Sequence, residues 1–151
     1  MNRRLLLNGA GALAASAALP TFAAAPQPEV QVFKNPRCGC CGAWAAHMRS
    51  AGFGVTVVEV TNAAIERTRL GMPERFASCH TASVDGYILE GHVPAAEVKR
   101  LLAAKPRAIG LAAPGMPPAS PGMEVPGRTD PYHVLLIDAA GQSSVFAAYP
   151  K

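Results

Sequence analysis

Residues 29–60 read EVQVFKNPRCGCCGAWAAHMRSAGFGVTVVEV, and this stretch decides the architecture. Glu29–Phe33 alternates apolar and polar side chains and is rich in β-formers, which predicts a strand. Asn35-Pro36 breaks it. A cysteine-rich turn, Cys38-Gly39-Cys40-Cys41-Gly42, follows, and Ala43–Ser50 predicts a helix with Trp44, Met48 and Ala51 on one face. Gly52 and Gly54 end that helix, and Val55–Val60 predicts a second strand whose nearly continuous apolar run suits burial on both faces. Strand, cysteine turn, helix and strand make a βαβ unit, which sets its two strands parallel through a right-handed crossover.

Further along, Thr61 or Asn62 caps a short helix through Leu70, stopped by Gly71 and Pro73. After Cys79-His80, Thr81–Val84 and Tyr87–Glu90 predict strands joined tightly at Asp85-Gly86. Pro94 starts a helix through Ala104, with Val98, Leu101 and Leu102 as its apolar face. Residues 106–131 hold Pro106, Pro114, Pro117, Pro118, Pro121 and Pro126 among glycines, which predicts one long loop, Gly115-Met116-Pro117 and Pro121-Gly122-Met123 forming its two halves. Tyr132–Asp138 and Ser143–Ala147 close the chain as a hairpin. The expected fold is therefore α/β, a mixed central sheet with flanking helices and a C-terminal β-hairpin.

The chain has 151 residues, half of them hydrophobic, enough for one domain with its own core. Its net charge of +4 includes Arg3 and Arg4; without them only a small basic excess remains, spread along the chain with no basic run interleaved with aromatics. Nucleic-acid binding therefore has no support. Residues 1–25 have the pattern of a signal peptide: Arg3-Arg4, an uncharged Ala-rich stretch from Leu5 to Leu19, and small residues at Ala23-Ala24-Ala25. The apolar run is short for a membrane span, and the paired arginines leave both the general and the twin-arginine export routes open. The expected product is a soluble periplasmic domain of residues 26–151, with no stable membrane insertion after cleavage.

All four cysteines lie in two places, Cys38, Cys40 and Cys41 in the first turn motif and Cys79 in Ser78-Cys79-His80-Thr81. Cys38-x-x-Cys41 sits between a strand and a helix, the placement found in thioredoxin-type proteins. There the helix N-terminus offers free N–H groups and the positive end of its dipole, both of which favour thiolate over thiol. A thiolate can attack a disulfide or bind a soft metal. Cys40 adds a third sulfur inside the motif, and thiolates so crowded suit Cu(I) and, less exclusively, Zn(II). In a thioredoxin-like frame the chain entering the third strand passes beside this turn, which would bring Cys79 to it as a fourth sulfur. Two disulfides and a structural zinc site are the competing readings. Crowding within four residues strains disulfide geometry, and zinc sites built from four cysteines usually draw on two separated Cys-x-x-Cys pairs.

Several other residues are candidates for supporting roles. His80 could ligate or orient a ligand, and His92 could orient the start of the following helix or lie near the site. Met116 and Met123 offer thioethers on the Pro-rich loop, where they could form a lid or simply pack as flexible hydrophobes. His47, on the first helix, is expected to face solvent; His133 is expected on the sheet surface, and Trp44 in the core.

These motifs together resemble one family. Cys38-Gly39-Cys40-Cys41-Gly42 with Trp44, Gly71-Met72-Pro73, Ser78-Cys79-His80-Thr81-Ala82, Gly86-Tyr87, Glu90-Gly91-His92-Val93-Pro94-Ala95, Gly115-Met116-Pro117 and Gly122-Met123-Glu124 are similar to the CopG-type periplasmic copper-resistance proteins, long catalogued as a domain of unknown function. The resemblance spans residues 30–149. It implies a thioredoxin-like fold and a multinuclear Cu(I) cluster bridged by Cys38, Cys40, Cys41 and Cys79. It also implies a part in copper resistance beside other periplasmic copper-handling proteins. It leaves open whether the protein stores or carries copper, or acts as a copper or thiol oxidoreductase. The alternative from the residues alone is a periplasmic thiol–disulfide oxidoreductase using Cys38-x-x-Cys41.

Overall fold

The computed structural model describes residues 28–151, so the signal-like segment lies outside the described residues. Three helices flank a seven-stranded mixed sheet. The elements are β1 (Val30–Lys34), α1 (Gly39–Ser50), β2 (Val55–Glu59), α2 (Ala63–Leu70), a short 3-10 turn (Glu74–Phe76), β3 (His80–Val84), β4 (Tyr87–Gly91), α3 (Ala95–Ala104), β5 (Ala108–Ala113), β6 (Tyr132–Asp138) and β7 (Ser143–Tyr149). The sheet order is β2-β1-β3-β4-β5-β6-β7.

The βαβ unit forms as its pattern requires: β1 and β2 pair in parallel, Val32 opposite Val57. β3 then returns antiparallel on the other side of β1, with His80 opposite Lys34. This register matters for function, because it lays the residue just before β3, Cys79, beside the turn that leaves β1. β3 and β4 form the expected hairpin, and β6 and β7 the C-terminal one.

Side chains alternate across the sheet and divide the core into two layers. Val30, Val32, Leu89 and Leu111 face Trp44 and Met48 of α1 and Val98 and Leu101 of α3. Ile88, Ala112 and Ile137 face the other way, against Met72 and Phe76. Neighbouring residues such as Ile88 and Leu89 thus serve opposite layers, as the period of two demands.

Three expectations need correction. The first helix starts at Gly39 rather than Ala43, so Cys40 and Cys41 lie in its first turn and Cys38 is its N-cap. Residues 106–131 are not one loop: Ala108–Ala113 is β5, parallel to β4 and antiparallel to β6. Its sequence, AIGLAA, is poor in β-formers, and two flanking strands supply the ladder that its own propensity does not. Finally, His47 does not simply face solvent. It is half-buried, and its Nε2 accepts the Ala95 N–H at 3.0 Å. Since Pro94 offers no side-chain cap to α3, His47 satisfies one of that helix's free donors from another helix.

Candidate metal centre

The N-terminus of α1 is the foundation of the site. Its N-cap, Cys38, makes no side-chain hydrogen bond to the helix, and no acidic residue occupies the first turn. The helix N–H groups there remain available to anionic sulfur. The entering turn is held by Lys34, whose buried ammonium donates to the carbonyls of Asn35 (3.0 Å) and Pro36 (3.4 Å).

Cys79 arrives from across the sheet. Its Sγ lies 3.5 Å from Cys41 Sγ and 4.0 Å from Cys40 Sγ, and Cys40 Sγ lies 3.5 Å from Cys38 Sγ. All four sulfurs fall within 4.8 Å of one another. Cys38 and Cys41 are joined as a disulfide, while Cys40 and Cys79 are free thiols. Cys41 is fully buried and the other three are partly exposed, so the cluster opens to solvent on one side.

Two imidazoles back the cluster. His92 Nε2 lies 3.1 Å from Cys79 Sγ, and His80 Nδ1 lies 3.5 Å from the same sulfur. The three donor atoms of Cys79, His80 and His92 form a second group within 4.8 Å. His80 also packs 4.5 Å from the Trp44 ring, and its Nε2 is buried without a hydrogen-bond partner. Burial, followed by the nearness of His92 and Lys34, holds the His80 pKa down at about 3. Burial lowers His92 as well, against the pull of the Pro121 carbonyl and Glu124. Both rings are therefore neutral at pH 7 and keep a lone pair. Burial, with Cys40 beside it, pushes the Cys79 thiol up to about 12, so without a metal it stays protonated.

The shortened Pro-rich segment, residues 114–131, packs against this end of the molecule. Gly115 N–H bonds to the Ala77 carbonyl at 3.0 Å, and Ser78 Oγ donates to the Gly115 carbonyl. Pro121 offers its carbonyl to His92 Nδ1 at 2.8 Å. Gly122, at φ +83°, presses on α1 so closely that a Cβ there would lie 2.7 Å from Trp44 N and 2.9 Å from Cys40 O. Met116 is 54 % exposed and Met123 half-buried on this segment. His133 lies exposed on β6, away from this assembly, as expected.

Sequence reasoning did not find the polar grip on the chain before Cys79. Glu90, on β4, is fully buried and accepts from Arg67 Nε (2.9 Å), Ser78 N (2.7 Å) and Thr81 Oγ1 (2.6 Å). The only signal was a lone carboxylate inside an apolar strand, Tyr87–Gly91, where an ionisable residue needs a partner to be buried.

Comparisons with known proteins show the family. Residues 76–123, which include Cys79, His80 and His92, match the family described as "Protein of unknown function, DUF411". No curated protein matches the chain. Two solved structures do. One, titled "Copper resistance protein copG- Form 2", is 41% identical with a TM-score of 0.78, covering 82% of this chain and 99% of that one. The other, "Copper resistance protein copG- Form 1", is 41% identical with a TM-score of 0.77, covering 83% and 99%. At that identity, over nearly the whole of the related structures, the chain belongs to the CopG family of copper-resistance proteins.

Proposed function

We propose that the protein is an exported copper-binding protein in which Cys38, Cys40, Cys41 and Cys79 hold Cu(I) as a cysteine-bridged multinuclear cluster serving copper resistance. The observation that carries this reading is the convergence of the four sulfurs within 4.8 Å, three from one helix N-terminus and one from across the sheet. The donor set fits the ion. Thiolates are the ligands that select Cu(I), and neutral imidazoles with free lone pairs beside Cys79 add compatible donors. Sulfurs 3.5–4.0 Å apart are also spaced to share ions between them. The full set of thiolates exists only when the Cys38–Cys41 disulfide is reduced, so the copper-binding form on this reading is the dithiol. The order β1-α1-β2 with parallel strands, and cysteines at the start of α1, supports a thioredoxin-like frame for residues 26–151. The signal-like residues 1–25 support a periplasmic location, where other copper-handling proteins would be its partners. Among the described residues no helix is long and apolar enough to cross a membrane.

Metal analysis of protein purified anaerobically from copper-fed cells tests the proposal. The expected result is two or more copper ions per chain with the four thiols protected from alkylation. Substoichiometric copper, with all four thiols freely titratable, would sink it.

The disulfide between Cys38 and Cys41 favours a second reading, a thiol–disulfide oxidoreductase. Cys38 is the more exposed of the pair and would be the attacking thiol, with buried Cys41 resolving. Insulin reduction by the metal-free protein, lost in Cys38→Ser but kept in Cys40→Ser and Cys79→Ser, would establish it.

A further inference from the structure

We propose that Glu90, together with Arg67, is the positioning pair that sets Cys79 against the sulfurs of α1. One Glu90 oxygen accepts both Arg67 Nε at 2.9 Å and the Ser78 backbone N–H at 2.7 Å; the other accepts Thr81 Oγ1 at 2.6 Å. Arg67 Nη2 donates to the Ser78 carbonyl at 3.2 Å. The pair therefore grips both backbone polar groups of Ser78 and the side chain of Thr81, which are the residues on either side of Cys79-His80. Glu74 anchors the outer end of Arg67 through Nη1 at 2.6 Å. Behind Ser78 there is no slack: a Cβ on Gly91, at φ +71°, would lie 2.6 Å from Ser78 Cβ and 2.7 Å from the Ala113 carbonyl.

Arg67 is 4% exposed and Glu90 is fully buried. A buried ion pair is a poor source of stability compared with apolar side chains of the same volume, because desolvation offsets most of the attraction. What this pair does, and apolar side chains cannot, is fix a backbone segment through directed bonds. That segment carries the one sulfur which does not belong to α1. Groups outside the donor set that orient a ligand commonly change metal affinity by about 10–100-fold.

The importance of this grip for copper rests on the proposed role of Cys79 as a ligand, so its test has a metal-free arm. Full-length wild type, Glu90→Gln, Cys79→Ser and the double variant are prepared, the first two also in a Cys38→Ser background that removes the competing Cys38–Cys41 bond; this Cys38→Ser pair is reduced and treated with one equivalent of diamide, and the disulfides are mapped by mass spectrometry. In that background the disulfides of Cys79 with Cys41 or Cys40, whose sulfurs lie 3.5 and 4.0 Å from its own, should fall at least threefold with Glu90→Gln, the balance remaining as free Cys79 thiol. In the second arm the four proteins with Cys38 intact are titrated with Cu(I) against a chromophoric chelator. Glu90→Gln should weaken binding about tenfold or more in the wild type and add no further loss in Cys79→Ser, since a group acting through Cys79 has nothing left to act on. An unchanged disulfide partition overturns the proposal. So does an equal loss of affinity in both backgrounds, which would mark a merely structural role. If Cys79→Ser binds Cu(I) as the wild type does, the copper role of Cys79 falls and the disulfide partition alone decides the positioning role. Should Glu90→Gln fail to fold, Arg67→Met with Glu90→Leu keeps the core filled without the grip. In the Cys38→Ser background it is expected to fold and to lose the Cys79 disulfides; retaining them at the level of the Cys38→Ser parent would overturn the proposal.

Discussion

His92 Nε2 lies 3.1 Å from Cys79 Sγ, while Nδ1 of the same ring donates to the Pro121 carbonyl at 2.8 Å. A carbonyl only accepts, so Nδ1 carries the proton and Nε2 turns its lone pair to the sulfur. One imidazole thereby ties the Pro-rich segment to the cysteine site. His92→Phe keeps the volume and removes both bonds. Cu(I) affinity, read by chelator competition, should fall about 10–100-fold. Hydrogen exchange in residues 114–131 should rise at the same time. Unchanged affinity would make the contact purely structural.

The disulfide makes a count that can be checked directly. Cys40 and Cys79 are the free thiols in the oxidised protein, so a thiol-reactive dye in denaturant should find two, and four after reduction. Copper loading should follow the same step, low before reduction and full after it. Full loading with the Cys38–Cys41 bond intact by mass spectrometry would break the link between reduction and copper binding.

Much of this arrangement was legible in the chain, and the reasons differ by residue. The βαβ unit follows from strong local patterns, alternation in Glu29–Phe33 and a helical face at Trp44 and Met48, so β1 and β2 form within a residue of where they are expected and α1 ends where it is expected to. The approach of Cys79 followed from topology, since a third strand beside β1 has to start near the cysteine turn. β5 was hidden because Ala108–Ala113 takes its conformation from β4 and β6 rather than from its own side chains. The start of α1 was misplaced because Gly39 and Gly42 read as loop residues, yet both are within the helix. Of the two roles open to His92, orienting the next helix and lying near the site, the second is the one it takes, and His47 does not merely face solvent. The side chain that caps α3 is His47, and His92 instead touches Cys79. Both roles depend on how α1, α3 and the Pro-rich segment pack together, which no local pattern encodes.

His47 accepts the Ala95 N–H at the head of α3. His47→Ala leaves that donor without its side-chain partner, and the loss should match that of a helix cap, about 1 kcal/mol in urea denaturation of the metal-free protein. His47→Gln, which can present an oxygen at similar reach, should recover part of it. No change in either variant would mean that water replaces the cap at no cost.

The pH dependence of stability should carry the mark of His80. Its folded pKa is held down at about 3, chiefly by burial, whereas the unfolded chain titrates near 6.5. The unfolded state therefore takes up the proton first, and stability present above pH 6.5 is lost as the pH falls below it. Over pH 6.5 to 5 the metal-free wild type should lose on the order of 2 kcal/mol through this one group. His47 and His92 are shifted in the same direction and add to the slope. In His80→Phe the slope should become much shallower. An unaltered slope would place the titrating groups elsewhere.

Gly122 tests whether the Pro-rich segment is seated on α1 by contact or only lies near it. At φ +83° any side chain is strained, and an added Cβ would meet Trp44 N at 2.7 Å and Cys40 O at 2.9 Å, both backbone atoms of the helix that cannot swing aside. Gly122→Ala should therefore lift the segment rather than compress the helix, at a cost of about 1–3 kcal/mol. Trp44, the chain's single tryptophan, is fully buried with its Nε1 bonded to the Val93 carbonyl at 2.8 Å, so its emission reports on this region. Lifting the segment should red-shift that emission, speed proteolysis within residues 114–131 and loosen the His92–Pro121 bond. The sheet, whose strands do not include Gly122, should keep its far-ultraviolet circular dichroism. If Gly122→Ala leaves emission and proteolysis unchanged, the segment is not held against α1 at this point and its attachment rests on the bonds of Pro121 and Gly115.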